Sequence, residues 1–334
     1  MIFSYLPLEV LCMSILDKTI NSHRKIIPII PAINHYVTKN TIPLPTFRLI
    51  ENPFREVQKT PYCYATMIFL GDKYVPSALV LGESLRRAGV KQNVVCFVQG
   101  VNDKVKADLF SVFDYIVECE LLEVKGYKPP KEFHFTKKKH YDQINKYVTK
   151  LNILGFERYS KIFYLDASTM VDKSLDDIFE RSSKSVFVQD AEFRRTGVGL
   201  RGTFFMITPS AFYFKKAIFL INNYSNIFKD YYFLRGVDEV ILFYTIFPNW
   251  SKDMLHNNIA CNGNRKVNPK DCRIYYFQVF KPFEPVLDKS PDEMRMYYQN
   301  YQKWDLIVKS LLELHPPLRI YFQKISSFRD TLFF

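Results

Sequence analysis

The chain has 334 residues, with 46 Lys plus Arg against 34 Asp plus Glu and a formal net charge of +12. That length buries a full core, and the excess positive charge suits anionic partners such as nucleotides or phosphosugars. With 11 Gly in all and no G-x-x-x-x-G-K-[ST] run, the composition argues against a P-loop nucleotidase or a Gly-rich dinucleotide oxidoreductase.

The 30 Phe and 22 Tyr fall mostly in apolar runs such as FFMI and FYFKKAIF, which assigns them to a core. That argues against a stacking face for nucleic acid, despite the charge. The six cysteines are scattered without a C-x-x-C pair, so a zinc site is not expected. Cys63, Cys96 and Cys119 sit in apolar runs and read as buried thiols, so a cytoplasmic, reducing setting is expected. Two N-x-S triplets, at Asn223 and Asn249, are the counter-signal for a secretory route. The opening MIFSYLPLEVLCMSIL lacks a basic leader, carries Pro7 and Glu9, and is too short to span a bilayer. No transmembrane segment is therefore expected.

Residues 1–60 are broken by prolines at 26–33 and 41–47 and read as an irregular extension packed on the main domain. From Tyr62 onward strands and helices alternate. Cys63–Phe69 is an apolar strand, Gly71-Asp72 turns the chain, and Tyr74–Ala88 has helical periodicity ending at Gly89. Asn93–Val98 and Tyr115–Cys119 are further strands, with a helix between them that Asp103 can cap. A basic loop, 125–139, holds the densest charge run, Lys137-Lys138-Lys139-His140, which reads as a solvated loop ahead of a dedicated anion site. A helix is predicted over about 141–156, then a strand at Ile162–Leu165 ending in Asp166, then a helix signal at Leu175–Phe179. Val186–Gln189 and Thr203–Ile207 are strands, Ser210 can cap a helix to about Tyr224, and Glu293–Leu314 is a closing helix stopped by Pro316-Pro317. This order predicts an α/β fold: a mostly parallel sheet with helices on both faces over 61–334, preceded by the extension 1–60.

Asp166 is the most informative position. A carboxylate at the carboxyl end of a buried strand lies at the crevice where such sheets bind ligands. Ending an apolar strand, it needs a partner or water. Tyr74 reads as core or as a base platform, and Asp238 as a helix cap or a reacting carboxylate. Lys150 and Lys281, taken alone, read as solvated surface lysines.

Six segments in order carry a resemblance. They are YATMIFLGDKYVPSALVLGESL (64–85), TKLNILGF (149–156), the Asp166 segment with LDDIF, RGTFFMITPS (201–210), GVDE (236–239) and YYFQVFKPF (275–283). Together they resemble the family 8 retaining glycosyltransferases, the group that contains glycogenin and galactinol synthase. The resemblance covers about 62–283 and implies a GT-A-like fold. It also implies transfer of a hexose from a UDP-sugar, UDP-glucose or UDP-galactose, with retention, to an acceptor the sequence does not identify: a glycan, a protein or a polyol. By the same resemblance Met67 and Tyr74 flank the base and ribose, and Lys150 touches the donor sugar or diphosphate. Asp238 lies beside the reacting carbon, and Lys281 holds the diphosphate leaving group. The stretch 256–271 contains no Tyr, so self-glucosylation of the glycogenin kind is not expected.

The resemblance also implies a Mn²⁺ or Mg²⁺ ion, and there the sequence departs from the pattern. Asp166 keeps the first metal position, but Ser168 stands in place of the second Asp and Tyr275 in place of the ligating His. Gln278 replaces a Gly, and Leu200 an Asn. A neutral hydroxyl and a phenol are weak ligands for a hard cation. One expectation is therefore an enzyme in which Arg201 and Lys281, with Arg194 and Arg195 nearby, replace the metal's charge. The other is a catalytically inactive relative kept as a binding or structural module.

Overall fold

The computed structural model describes residues 27–69, 71–125, 145–181, 185–189, 200–228, 239–248, 254–255, 260–262, 272–277, 281–283 and 298–323. Its strands are β1 (Arg48–Glu51), β2 (Tyr62–Phe69), β3 (Asn93–Gln99), β4 (Tyr115–Glu118), β5 (Lys161–Leu165), β6 (Thr169–Val171), β7 (Ser185–Gln189), β8 (Leu200–Ile207), β9 (Met254–Leu255), β10 (Ala260–Asn262) and β11 (Ile274–Tyr276). The main sheet has the order β1-β4-β3-β2-β5-β8-β7-β9, and a smaller one the order β10-β11-β6. The centre of the main sheet is parallel, β4-β3-β2-β5, while β1, β8 and β7 join it antiparallel.

The central strands are apolar runs because both of their faces are covered. Alternation along β2 sends Tyr64 and Ile68 into one core and Cys63, Ala65 and Met67 into the other. Helices α1 (Ile30–Lys39), α2 (Val75–Arg87), α3 (Asp103–Leu109), α4 (Ala211–Asn222), α5 (Glu239–Ile246) and α6 (Tyr298–Leu314) supply both layers. Side chains of α2, α3 and α6 fill the first core, and those of α1, α4 and α5 the second. The expected mostly parallel sheet with helices on both faces is what the chain forms.

Three local expectations change. The N-terminal segment contains a helix and a strand. Pro31 sits in the first turn of α1, where the missing N–H costs nothing. β1 adds an edge to β4, and the Asn52 amide donates to the carbonyls of Phe110 and Phe113 at 2.6 and 2.7 Å. Helix α3 is capped by Asn102, whose Oδ1 accepts from the Val105 N–H at 2.9 Å; Asp103 falls one residue inside the helix. The helix predicted over 141–156 is, where described, a 3₁₀ coil at Tyr147–Gly155. Thr149 and Asn152 bind it sideways to the backbone of Leu122 and Glu120, which competes with regular α-helical bonding. Ser210 caps α4 as expected, accepting from the Phe212 N–H.

Candidate active site

The candidate site is assembled at the carboxyl end of the parallel strands. Tyr164 and Asp166 stand two residues apart and so face the same side of the sheet, the side covered by the Tyr147–Gly155 coil. From that coil Lys150 reaches across, its ammonium 3.2 Å from Asp166 Oδ1 and 3.1 Å from the Gly202 carbonyl on β8. The Tyr164 hydroxyl donates to the same Asp166 oxygen at 2.7 Å. The Lys150 ammonium also lies 5.3 Å from the centre of the Tyr164 ring, and that ring stacks on Phe205. The Lys150 side chain is 5% exposed and that of Asp166 23%, so the carboxylate is the more exposed member of the pair.

The other expected residues gather along the same rim. Met67 and Asp166 each lie two residues beyond the Ala65–Tyr164 pair of β2 and β5. Met67 is buried in the second core. Gly71, at φ 91°, turns the chain from β2 into α2 and places Tyr74 at the head of that helix. The Tyr74 ring meets Phe283 edge to face, 5.3 Å between centres, which brings the Lys281–Phe283 segment to the rim. Lys281 donates to the Phe277 carbonyl at 2.6 Å and lies over the Tyr276 ring. The Phe277 N–H in turn donates to the Ser168 carbonyl at 3.1 Å. Backbone and ring contacts therefore link Asp166, Ser168, Lys281 and Tyr74 in one continuous border.

Tyr275 is placed differently. It is buried, and Lys303 from α6 donates to its hydroxyl and to Asp172, both at 3.0 Å. The phenol that stands in the expected metal position thus anchors a helix. Arg201 lies on β8, but its side chain, with Asp238, Arg194, Arg195, Gln278 and the run 137–140, is outside the described residues. Two participants escaped the sequence reading: Tyr164 and Lys303. The alternation that puts Tyr164 on the same face as Asp166 was the available signal for the first.

The donor set does not fit a divalent cation. Among the described residues no three His, Cys, Asp or Glu side chains converge. Asp166 brings one carboxylate, already approached by an ammonium, and Ser168 a neutral hydroxyl on a buried residue. Mg²⁺ requires about six oxygens in near-octahedral array.

The cysteines divide into two groups. Cys63 and Cys96 are buried free thiols, and burial raises both far above the ordinary thiol range; Cys119 is a half-buried free thiol pushed up to about 12, also mainly by burial. Cys272 is disulfide-bonded. Among the described residues no helix is long and apolar enough to cross a membrane.

No protein-family model matches the chain. The architecture is shared with a solved structure, the glycosyltransferase GlyE of Streptococcus pneumoniae, at a TM-score of 0.50 and 14% identity over 76% of this chain and 64% of that one. The fold is the GT-A fold of glycosyltransferases. In sequence the chain is 32% identical to human glycogenin-2 over 115 residues, 34% of this chain and 22% of that protein. It is 28% identical to inositol phosphorylceramide glucuronosyltransferase 1 of Arabidopsis thaliana over 142 residues, 42% of this chain and 24% of that protein. The match thus spans about a quarter of the length of either relative. Over those stretches the chain is similar to glycogenins and to a glucuronosyltransferase.

Proposed function

We propose that this protein transfers a hexose from a nucleoside diphosphate sugar, UDP-glucose or UDP-galactose, to an acceptor hydroxyl with retention of configuration. The observation that carries the reading is the Lys150–Asp166 pair at the carboxyl end of β5, bordered by Tyr74 and Lys281. In an α/β sheet that end is where nucleotides bind. Cleaving a glycosyl–phosphate bond leaves negative charge on the diphosphate, and fixed ammonium groups beside it lower the barrier by stabilising that charge. In this reading Lys150 acts at the donor sugar or diphosphate and Lys281 at the leaving group. Met67 and Tyr74 flank the nucleoside, and Asp166, Ser168 and Arg201 line the diphosphate side. Asp238 is assigned the carboxylate beside the anomeric carbon, where such a group orients hydroxyls or stabilises developing positive charge. The resemblance implies a divalent cation that would polarise the diphosphate; here Asp166 is the one strong ligand among the positions expected to hold it.

The test is UDP release from UDP-glucose and UDP-galactose, with and without glycan, protein and polyol acceptors, followed by NMR of the product anomer. Release dependent on an acceptor, with the donor's α-configuration kept, supports the reading. The incomplete metal set favours a second reading, a binding module that has lost catalysis. Absence of UDP release from every donor would select it.

A further inference from the structure

We propose that the Lys150 ammonium, held by Asp166 and Tyr164, takes the place of a divalent cation at this crevice, so that a nucleoside diphosphate binds the protein without metal. The proposal rests on the nucleotide-sugar reading above and specifies how that site carries its positive charge.

Three observations lead to it. The first is charge. Where two carboxylates and an imidazole would hold a dication, this chain offers Asp166 alone, and its charge is already matched by an ammonium 3.2 Å away. A dication bound to the same carboxylate would share it with that ammonium. Like charges that close repel, which disfavours a dication there. The second is occupancy of the remaining positions. The Tyr275 hydroxyl is committed to Lys303, and through it to Asp172 just past β6. The third is preorganisation. Lys150 is 5% exposed at its side chain and fixed by a carboxylate, a backbone carbonyl and an aromatic face, so its charge is held in place before any ligand arrives. A charge held that way stabilises an anion without reorganisation when the anion binds. Arg201 and Lys281 were the cations the sequence suggested for this task; the geometry points to Lys150.

The experiment is calorimetric titration of the full chain with UDP, in EDTA and again in Mn²⁺, for the wild type, Lys150→Gln and Lys150→Arg, with electron paramagnetic resonance of Mn²⁺ alongside. The proposal expects the wild-type Kd in EDTA and in Mn²⁺ to agree within about twofold, with no Mn²⁺ captured. It expects Lys150→Gln to weaken UDP about tenfold or more, the weight of one charge-assisted hydrogen bond, and Lys150→Arg to restore most of that. UDP binding that requires Mn²⁺ overturns the proposal and leaves the nucleotide-sugar reading standing. So does unchanged metal-free binding by Lys150→Gln. Failure of UDP to bind under either condition removes the nucleotide-sugar reading and this proposal with it. If Lys150→Gln does not fold, as circular dichroism will show, the wild-type comparison between EDTA and Mn²⁺ decides alone.

Discussion

Tyr164 and Lys150 meet at a single atom: the phenol donates to Asp166 Oδ1 at 2.7 Å, and the ammonium approaches the same oxygen at 3.2 Å. The two arrive from different elements, one along β5 and the other across from the 3₁₀ coil at Tyr147–Gly155. Asp166 is therefore oriented before any ligand is present.

Removing one member of the Lys150–Asp166 pair leaves a charge without its partner. Asp166→Asn strands a nearly buried ammonium and is expected to cost about 3 kcal/mol of stability, because such charges lose their compensation without regaining water. Lys150→Met should cost less, since Asp166 is the more exposed of the two and keeps part of its hydration. Urea unfolding of both variants and of Lys150→Met/Asp166→Asn gives the coupling. A double variant as unstable as the sum of the singles would show that the pair does not interact.

Tyr164→Phe removes one hydrogen bond and leaves the stack on Phe205 in place. About 1 kcal/mol of stability is expected to go with it. Donor affinity should fall several-fold because the carboxylate is freed to swing. Calorimetry and thermal melting read the two effects separately, and an unchanged Kd would assign the phenol a purely structural role.

Lys216, on α4, is 1% exposed, and its ammonium reaches the Ile246 carbonyl at 3.4 Å, at the end of α5. Burial lowers it from the ordinary 10.5 to about 8. The folded value lies below the unfolded one, so the unfolded chain holds more protons between pH 8 and 10.5, and stability rises across that window. The rise is about 3 kcal/mol at ~1.4 kcal/mol per pH unit. Below pH 8 the same quantity is a fixed cost. Lys216→Met should therefore raise stability at pH 7 and flatten the curve from pH 8 to 10.5, both measurable by denaturant titration.

Gly82, inside α2, faces Val112. A Cβ built there would lie 2.5 Å from Val112 Cγ2 and 2.8 Å from its Cβ, a branched side chain fully buried in the core. Gly82→Ala is expected to destabilise by about 1–3 kcal/mol despite its better helix propensity, because overpacking outweighs it. Val112→Ala in the same background should recover part of the loss. A stabilised Gly82→Ala would mean that α2 and the turn carrying Val112 yield more than the packing indicates.

Cys63, Cys96 and Cys119 should resist iodoacetamide at pH 8 in the native protein, since burial raises all three thiols and the thiolate is the reactive form. Intact mass before and after reduction tests the Cys272 bond, which predicts one more disulfide's worth of labelling once reductant and denaturant are added.

The amino-acid pattern alone was sufficient for the central strands β2, β3, β4, β5 and β8, the parallel centre of the sheet, the Ser210 cap and the position of Asp166 at a strand end. Those are local matters: an apolar run, a small-residue turn and a capping hydroxyl act on their immediate neighbours. It also located α1 and β1 poorly, since Pro31 is a break signal in a sequence and harmless in a first helical turn. What Asp166 binds was decided by tertiary structure. Lys150 lies 16 residues before it and reaches it only because β5 packs under the 3₁₀ coil; Tyr275 lies far downstream and is drawn instead to Lys303. Partnership between distant charges depends on which faces of the fold meet and how much water they exclude, and no periodicity in the chain encodes that.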